Sequence, residues 1–185
     1  MDLDKDLVMR PPEIIETERL RLRPPVPADA PALFAGYTQD PVVTRYLMWQ
    51  PHRSLTETED FLRHCERSRQ AGQAFPWVIV NKAGNQVMGM IELRVEGHRA
   101  NLGYVLAQPY WGQGYTTEAV QALTQWALDQ PHIYRVWAVC DVENIGSARV
   151  LEKAGWTREG ILRRWIIHPN ISATPRDCYC FARVK

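Results

Sequence analysis

Polar and apolar residues alternate strictly in Arg19-Leu-Arg-Leu-Arg23, a period of two that puts both leucines on one face of a half-buried strand, stopped by Pro24 and Pro25. The period then lengthens. Ala32, Leu33 and Tyr37 follow Asp29 at helical spacing, with the acidic side chain where a helix N-terminus favours negative charge. Between Thr56 and Arg69 the apolar residues Phe61, Leu62 and Cys65 face inward while Glu57, Asp60, Glu66 and Arg67 form a solvated face. Strand-like runs over residues 75–80, 86–95 and 100–106 are parted only by Lys82-Ala-Gly-Asn85 and Val95-Glu-Gly-His98. Turns this short join antiparallel neighbours, so the spacing predicts a three-stranded meander.

A helical period returns over residues 115–129, where Ala119, Val120, Leu123, Trp126 and Ala127 mark the apolar face. Residues 134–140 read as a buried strand. Asn144 opens a second helix with Ala148, Leu151 and Ala154 inward and Gly155 as its C-cap, and strands over 157–167 and 178–184 close the sheet. The order predicts an α/β (α+β) fold, a mixed central sheet of about seven strands flanked by helices. Residues 16–185 are expected to form one domain. Residues 1–15, with Pro11, Pro12 and mixed charges but no sustained period, are expected to be an N-terminal arm.

Composition narrows the function classes. A length of 185 residues with 45% hydrophobic content suits a single core. Lys and Arg number 22 against 21 acidic residues, which gives no reason to expect nucleic acid or an acidic membrane surface as partner. No apolar run reaches ~18 residues and the first residues are charged, so a cytoplasmic protein is expected, with neither membrane span nor signal peptide. Cys65, Cys140, Cys178 and Cys180 show no Cys-x-x-Cys spacing, and the five histidines show no His-Glu-x-x-His. Reduced thiols and no metal are the expectation.

The chemistry concentrates in Gln108-Pro-Tyr-Trp-Gly-Gln-Gly-Tyr-Thr-Thr-Glu-Ala119. Gly112 and Gly114 permit a tight turn with positive φ and close approach of a ligand, and the helical period begins immediately after them. Such a turn aims the unpaired amides of Gln113, Gly114, Tyr115 and Thr116, with the positive end of a helix dipole, at one place, an arrangement suited to phosphate. It is not a Walker A loop, because no Gly-Lys-Ser/Thr follows, and Thr117 stands where a Rossmann fingerprint needs its third glycine. Ile145-Gly-Ser-Ala-Arg149 likewise lacks the second glycine of a hydrolase elbow.

The loop, with the preceding Gly103-Tyr-Val-Leu-Ala107, resembles the pyrophosphate loop of the GCN5-related N-acetyltransferase superfamily, and its Pro-Tyr-Trp-Gly-x-Gly form resembles the RimJ/RimL branch that acetylates ribosomal-protein N-termini. Two further stretches share the likeness, Thr17-Glu-Arg-Leu-Arg-Leu-Arg23 and Asn144-Ile-Gly-Ser-Ala-Arg-Val-Leu-Glu-Lys-Ala-Gly-Trp156, so that it covers roughly residues 16–185. The resemblance implies the acyl-CoA N-acyltransferase fold, acetyl-CoA as co-substrate and an amine as acceptor, a protein N-terminus best of all, in a monomer or homodimer. It implies that coenzyme A lies along Val105, Leu106 and Ala107, over Gly112, Gln113, Gly114, Tyr115, Thr116 and Thr117, and against Asn144 and Ser147. Trp49 and His52, in the run Asp40 to His52, are implied on the acceptor side, with Glu92 beside them.

The sequence also departs from the family pattern. Leu151 stands where many members keep a tyrosine acid, Asn101 replaces a familiar acidic base, and Pro109 holds the usual loop Gln/Arg position. Ser147, three residues after Asn144 on the same helical face, is therefore the expected partner of the leaving thiolate, and Glu159 the expected base, with Glu92 as its alternative. Two rival readings remain open, an acetyltransferase for a small-molecule amine and a non-catalytic coenzyme A-binding or sensing module.

Overall fold

In the computed structural model, which describes residues 11–185, the alternation at residues 19–23 becomes strand β2 (Leu20–Arg23), with both leucines fully buried. A two-residue strand, β1 (Ile15–Glu16), pairs with one edge of it, and β3 (Phe75–Asn81) pairs antiparallel with the other. β3 is apolar along its length because both of its faces are covered. Trp77 and Ile79 enter one core and Val78 and Val80 enter another. Strands β4 (Gln86–Glu96) and β5 (Arg99–Leu106) complete the expected meander, with Glu92 opposite Gly103.

Strand β6 (Arg135–Asp141) runs parallel to β5, and β8 (Arg176–Val184) inserts between β6 and β7 (Thr157–Ile166), giving the order β1-β2-β3-β4-β5-β6-β8-β7. Among the described residues the sheet has eight strands, in line with the expected mixed sheet of about seven; the additional one is β1, too short to leave a periodic trace in the sequence. The buried strand expected over 134–140 begins one residue later. Burial alternates along β6, and Tyr134 stands outside it, 57% exposed.

Helices α4 (Tyr115–Asp129) and α5 (Ile145–Lys153) cover one face of the sheet. The other face carries α1 (Ala30–Leu33), continued as a wider turn over Phe34–Thr38, the short α2 (Pro41–Thr44) and α3 (Leu55–Gln70). Asp29 does more than face a helix end. Its carboxylate accepts bonds from both terminal nitrogens of Arg23 (2.8 and 2.7 Å) and from the Val26 amide (2.8 Å), fixing the entry into α1.

Of the expected arm, residues 1–10 lie outside the described residues; Trp77 Nε1 donates to the Pro12 carbonyl (3.2 Å) and Ile15 already pairs in the sheet. Among the described residues no helix is long and apolar enough to cross a membrane, and no group of three His, Cys, Asp or Glu side chains is placed to hold a metal.

Candidate active site

Gly112 and Gly114 take φ of +75° and +82°, and Gly114 is the N-cap of α4. The loop ends in amides rather than side chains. The first helical bond belongs to Glu118, whose amide donates to the Gly114 carbonyl (3.0 Å), and none of the six amides from Gly112 to Thr117 finds an acceptor among the described residues. These six residues are the loop positions expected from the sequence to meet the cofactor. Six convergent donors at the positive end of a 15-residue helix form an anion cradle. Trp111 Nε1 donates to the Leu106 carbonyl (2.6 Å), holding the loop to the end of β5.

A residue missed in the sequence locks this loop from the opposite end of the chain. Arg19 donates through its amide and Nε to the two carboxylate oxygens of Glu118 (2.9 and 2.7 Å), through Nη1 to the Gln113 carbonyl (3.0 Å), and lies 4.5 Å above the Tyr115 ring. Thr17 donates to the same carboxylate (2.6 Å). Burial alone would raise Glu118, but these bonds together outweigh it and hold the carboxyl below the ordinary carboxylate range, so it is ionised and stays paired. Arg19→Met is expected to weaken coenzyme A binding about ten-fold in calorimetry, the scale of a net hydrogen bond to a charged group, with secondary structure unchanged.

Between β5 and β6 the sheet forks. The strands pair only from Arg99↔Arg135 to Asn101↔Trp137, and Leu102 to Leu106 have no strand partner on that side. Val105, Leu106 and Ala107 therefore line an open backbone edge that leads to the amide cradle. Asn144, across the fork, caps α5 by accepting the Ser147 amide (3.2 Å), and its own side-chain nitrogen has no partner among the described residues. Ser147 Oγ meets the Tyr104 hydroxyl at 2.8 Å and also reaches Cys140, whose thiol burial pushes up to about 11. Burial raises Tyr104 as well, so it is a neutral donor. Leu151 is fully buried in the core and offers no chemistry.

On the α1/α3 face, the structure brings Trp49 and His52 together. Their rings lie 4.8 Å apart and both pack on Phe61. Thr58 bonds His52 Nδ1 (2.8 Å) and burial lowers the histidine's pKa, which keeps the ring neutral at pH 7. Glu92 lies across from Gly103, where a Cβ would meet nothing within 4 Å, so open space adjoins its carboxyl. Burial raises Glu92 above the ordinary carboxylate range, against the pull of Arg94 at 2.5 Å. Glu159 is placed otherwise. It projects near the start of β6, its carboxylate bonded to both terminal nitrogens of Arg135, which holds it below the ordinary range. Both its placement and the low basicity that this pairing imposes disfavour the role of base that the sequence suggested for it.

Residues 19–157 match the family model described as acetyltransferase (GNAT) domain, and the chain belongs to that family. The uncharacterized N-acetyltransferase p20 of Bacillus licheniformis is 32% identical over 176 residues, 94% of this chain and 97% of that protein. A GNAT-family acetyltransferase structure from Bacillus anthracis is 27% identical with a TM-score of 0.80, covering 92% of this chain and 98% of the other. RimL, a ribosomal L7/L12 alpha-N-protein acetyltransferase solved with coenzyme A, is 25% identical with a TM-score of 0.82, covering 93% and 98%. The chain is an acetyltransferase with the expected fold.

Proposed function

We propose that this enzyme moves an acetyl group from acetyl-CoA to a primary amine, most fittingly the N-terminal α-amine of a protein or peptide, by direct attack in a ternary complex. The observation that carries the reading is the run of six unpartnered amides at the start of α4, continuous with the open edge of β5. The pyrophosphate is held by the amides of Gly112 to Thr117. The pantetheine arm lies along the open edge of β5 beside Val105 to Ala107 and faces Asn144, which brings the thioester to Ser147. Membership of a family of N-acetyltransferases favours catalysis over a sensing role.

The reacting amine enters from the side of Trp49 and His52. Its lone pair attacks the thioester carbonyl, the carbon–sulfur bond breaks, and the amine's proton passes to Glu92 through water. A base with a raised pKa takes that proton more readily than the paired Glu159. The α-amine suits this site because its pKa of ~7.8, against ~10.4 for lysine, makes the neutral form cost roughly 1 kcal/mol at pH 7 instead of about 4 to 5. The similarity to RimL supports the same choice.

The thiolate leaves toward Ser147. With a reference pKa of ~8.5 it needs a hydrogen bond more than a full proton. The Tyr104 hydroxyl, which also donates to the Ser147 carbonyl (3.2 Å), holds Ser147 Oγ in place, and when it donates to that oxygen the serine proton is free for the sulfur. Ser147→Ala is expected to lower kcat about ten-fold or more at unchanged acetyl-CoA affinity, and Tyr104→Phe to lower it by less. A parent-like rate for Ser147→Ala would show that the thiolate leaves unaided. The acceptor is tested by incubating acetyl-CoA with peptides, lysine-blocked peptides and small amines and locating the added acetyl by mass spectrometry. Acetylation confined to lysine side chains or aminoglycosides overturns the α-amine reading.

A further inference from the structure

An open cleft of about 720 Å³ lies between the β7–β8 hairpin and the turn after β6, lined by Val142, Arg163, Arg164, Thr174, Arg176 and Asp177 among others. That volume is of the size that takes a ligand. Its charge is lopsided, with three guanidiniums facing one carboxylate. Arg176 is committed to the fold, since it bonds Asp141 through Nε and Nη2 (2.6 and 3.1 Å) and pairs with Glu143 at 2.9 Å. The guanidiniums of Arg163 and Arg164 have no hydrogen-bond or ion-pair partner among the described residues.

The backbone places those two arginines together. Consecutive residues of a regular strand point to opposite faces, yet Arg163 and Arg164 line one cleft. The pairing of β7 with β8 shifts between Leu162 and Ile166, and within this irregular stretch Arg164 takes a φ of 47°. Its amide is held by Asp177 Oδ1 (2.9 Å). A left-handed arginine is an uncommon conformation, held at some cost, and such irregularities re-aim side chains at binding sites.

The segment that borders the cleft is tied to the acceptor side of the site. Asn170, in the segment between β7 and β8, donates through Nδ2 to the carbonyls of Thr44 (2.7 Å) and Trp49 (2.8 Å), joining that segment to the loop that carries Trp49. His168, fully enclosed in the same segment, faces Tyr46 edge-on and lies 3.6 Å from Asp141. On the other side Val142 stands two residues before Asn144. Through this segment and Val142 the cleft adjoins both the Trp49 loop and the turn that leads to Asn144, so a chain with its amine at the fork would have the two arginines within the direction of its next residues.

We propose that this cleft binds an acidic side chain of the acceptor, so that the enzyme prefers peptides with aspartate or glutamate soon after the N-terminal residue. The inference rests on the α-amine reading above and names its substrate class. Paired guanidiniums bind a carboxylate in a fixed fork geometry, which favours a peptide acid over a dispersed negative surface.

The test measures equilibrium binding to the full chain loaded with coenzyme A. Two peptides share an N-terminal residue and length, one with aspartate or glutamate at the second to fourth positions and the other with the matching amides. The acidic peptide is expected to bind about ten-fold tighter, with the advantage shrinking as salt rises. The double variant R163Q/R164N, with asparagine chosen because it tolerates positive φ, is expected to erase the preference. Its affinities for coenzyme A and for the amide peptide are expected to stay at the parent values. Equal affinities for the parent, or a preference that survives in the double variant, overturns the proposal. So does tight binding of phosphoethanolamine with no discrimination between the peptides, which would assign the cleft to a small phosphate-bearing amine. Turnover in the same samples addresses the other reading separately: acidic peptide that binds in preference but is not acetylated removes the α-amine assignment and leaves the cleft's carboxylate selectivity standing.

Discussion

Gly114→Val is expected to abolish coenzyme A binding in calorimetry while the circular dichroism spectrum stays that of the parent. Gly114 caps α4 at φ +82°, a region that costs an ordinary L-residue roughly 1–2 kcal/mol and a β-branched one more. The added Cβ would also sit 3.4 Å from Arg19 Nη2, against the guanidinium that locks the loop. The turn must then change conformation, and the amides from Gly112 to Thr117 cease to converge. Gly112→Ala provides the graded comparison, because its Cβ would meet nothing within 4 Å and only the φ of +75° opposes it. Unchanged affinity in Gly114→Val would remove the amide cradle as the cofactor site.

The second large effect is expected at Glu92. Glu92→Gln keeps the shape and removes the base, so kcat is expected to fall on the order of 10²-fold, the lower end of the range for losing acid-base assistance. Stability should move the other way. A carboxyl whose folded pKa exceeds its unfolded value favours the native state at low pH and loses that advantage as pH rises through the folded pKa. Above that folded pKa the parent carries an ionised group in a site that disfavours it, and there the glutamine variant is expected to melt at a higher temperature. The acid limb of the kcat/KM profile assigned to Glu92 should also disappear. A variant with parent-like turnover would place the base elsewhere, and one that loses both activity and stability would make Glu92 a structural residue.

The residues that were legible in the sequence are those whose role is local. Gly112 and Gly114 announce a turn because a 3.6-residue period starts directly after them, and Asn144 reads as a cap because Ala148 and Leu151 follow at helical spacing. The meander was equally plain, since its turns are short and its strands follow one another. What stayed hidden depends on distant chain segments meeting. Arg19 reaches Glu118 across 99 positions, and Tyr104 reaches Ser147 across 43. Glu159 was misjudged because its nearness to Gly155 says nothing about Arg135, 24 positions away. Glu92 was visible as a carboxylate, but its raised pKa comes from burial on the face shared with α3 and the open space comes from Gly103 on the next strand. The irregularity that brings Arg163 and Arg164 to one side has no sequence mark either, because it lies in how β7 fails to match β8.

The fork between β5 and β6 means that the eight-stranded sheet is two rafts, β1 to β5 and β6 with β8 and β7, laced together at three paired positions. Amides on β5 that face the gap have no strand to shield them, so in the unliganded protein they exchange hydrogen with solvent like those of an edge strand, although they lie in the middle of the sheet. In the proposed complex the cofactor acts as a temporary strand, bonded to β5 on one raft and facing Asn144 and Ser147, which follow β6, on the other. Each catalytic cycle would then mend and reopen the same seam.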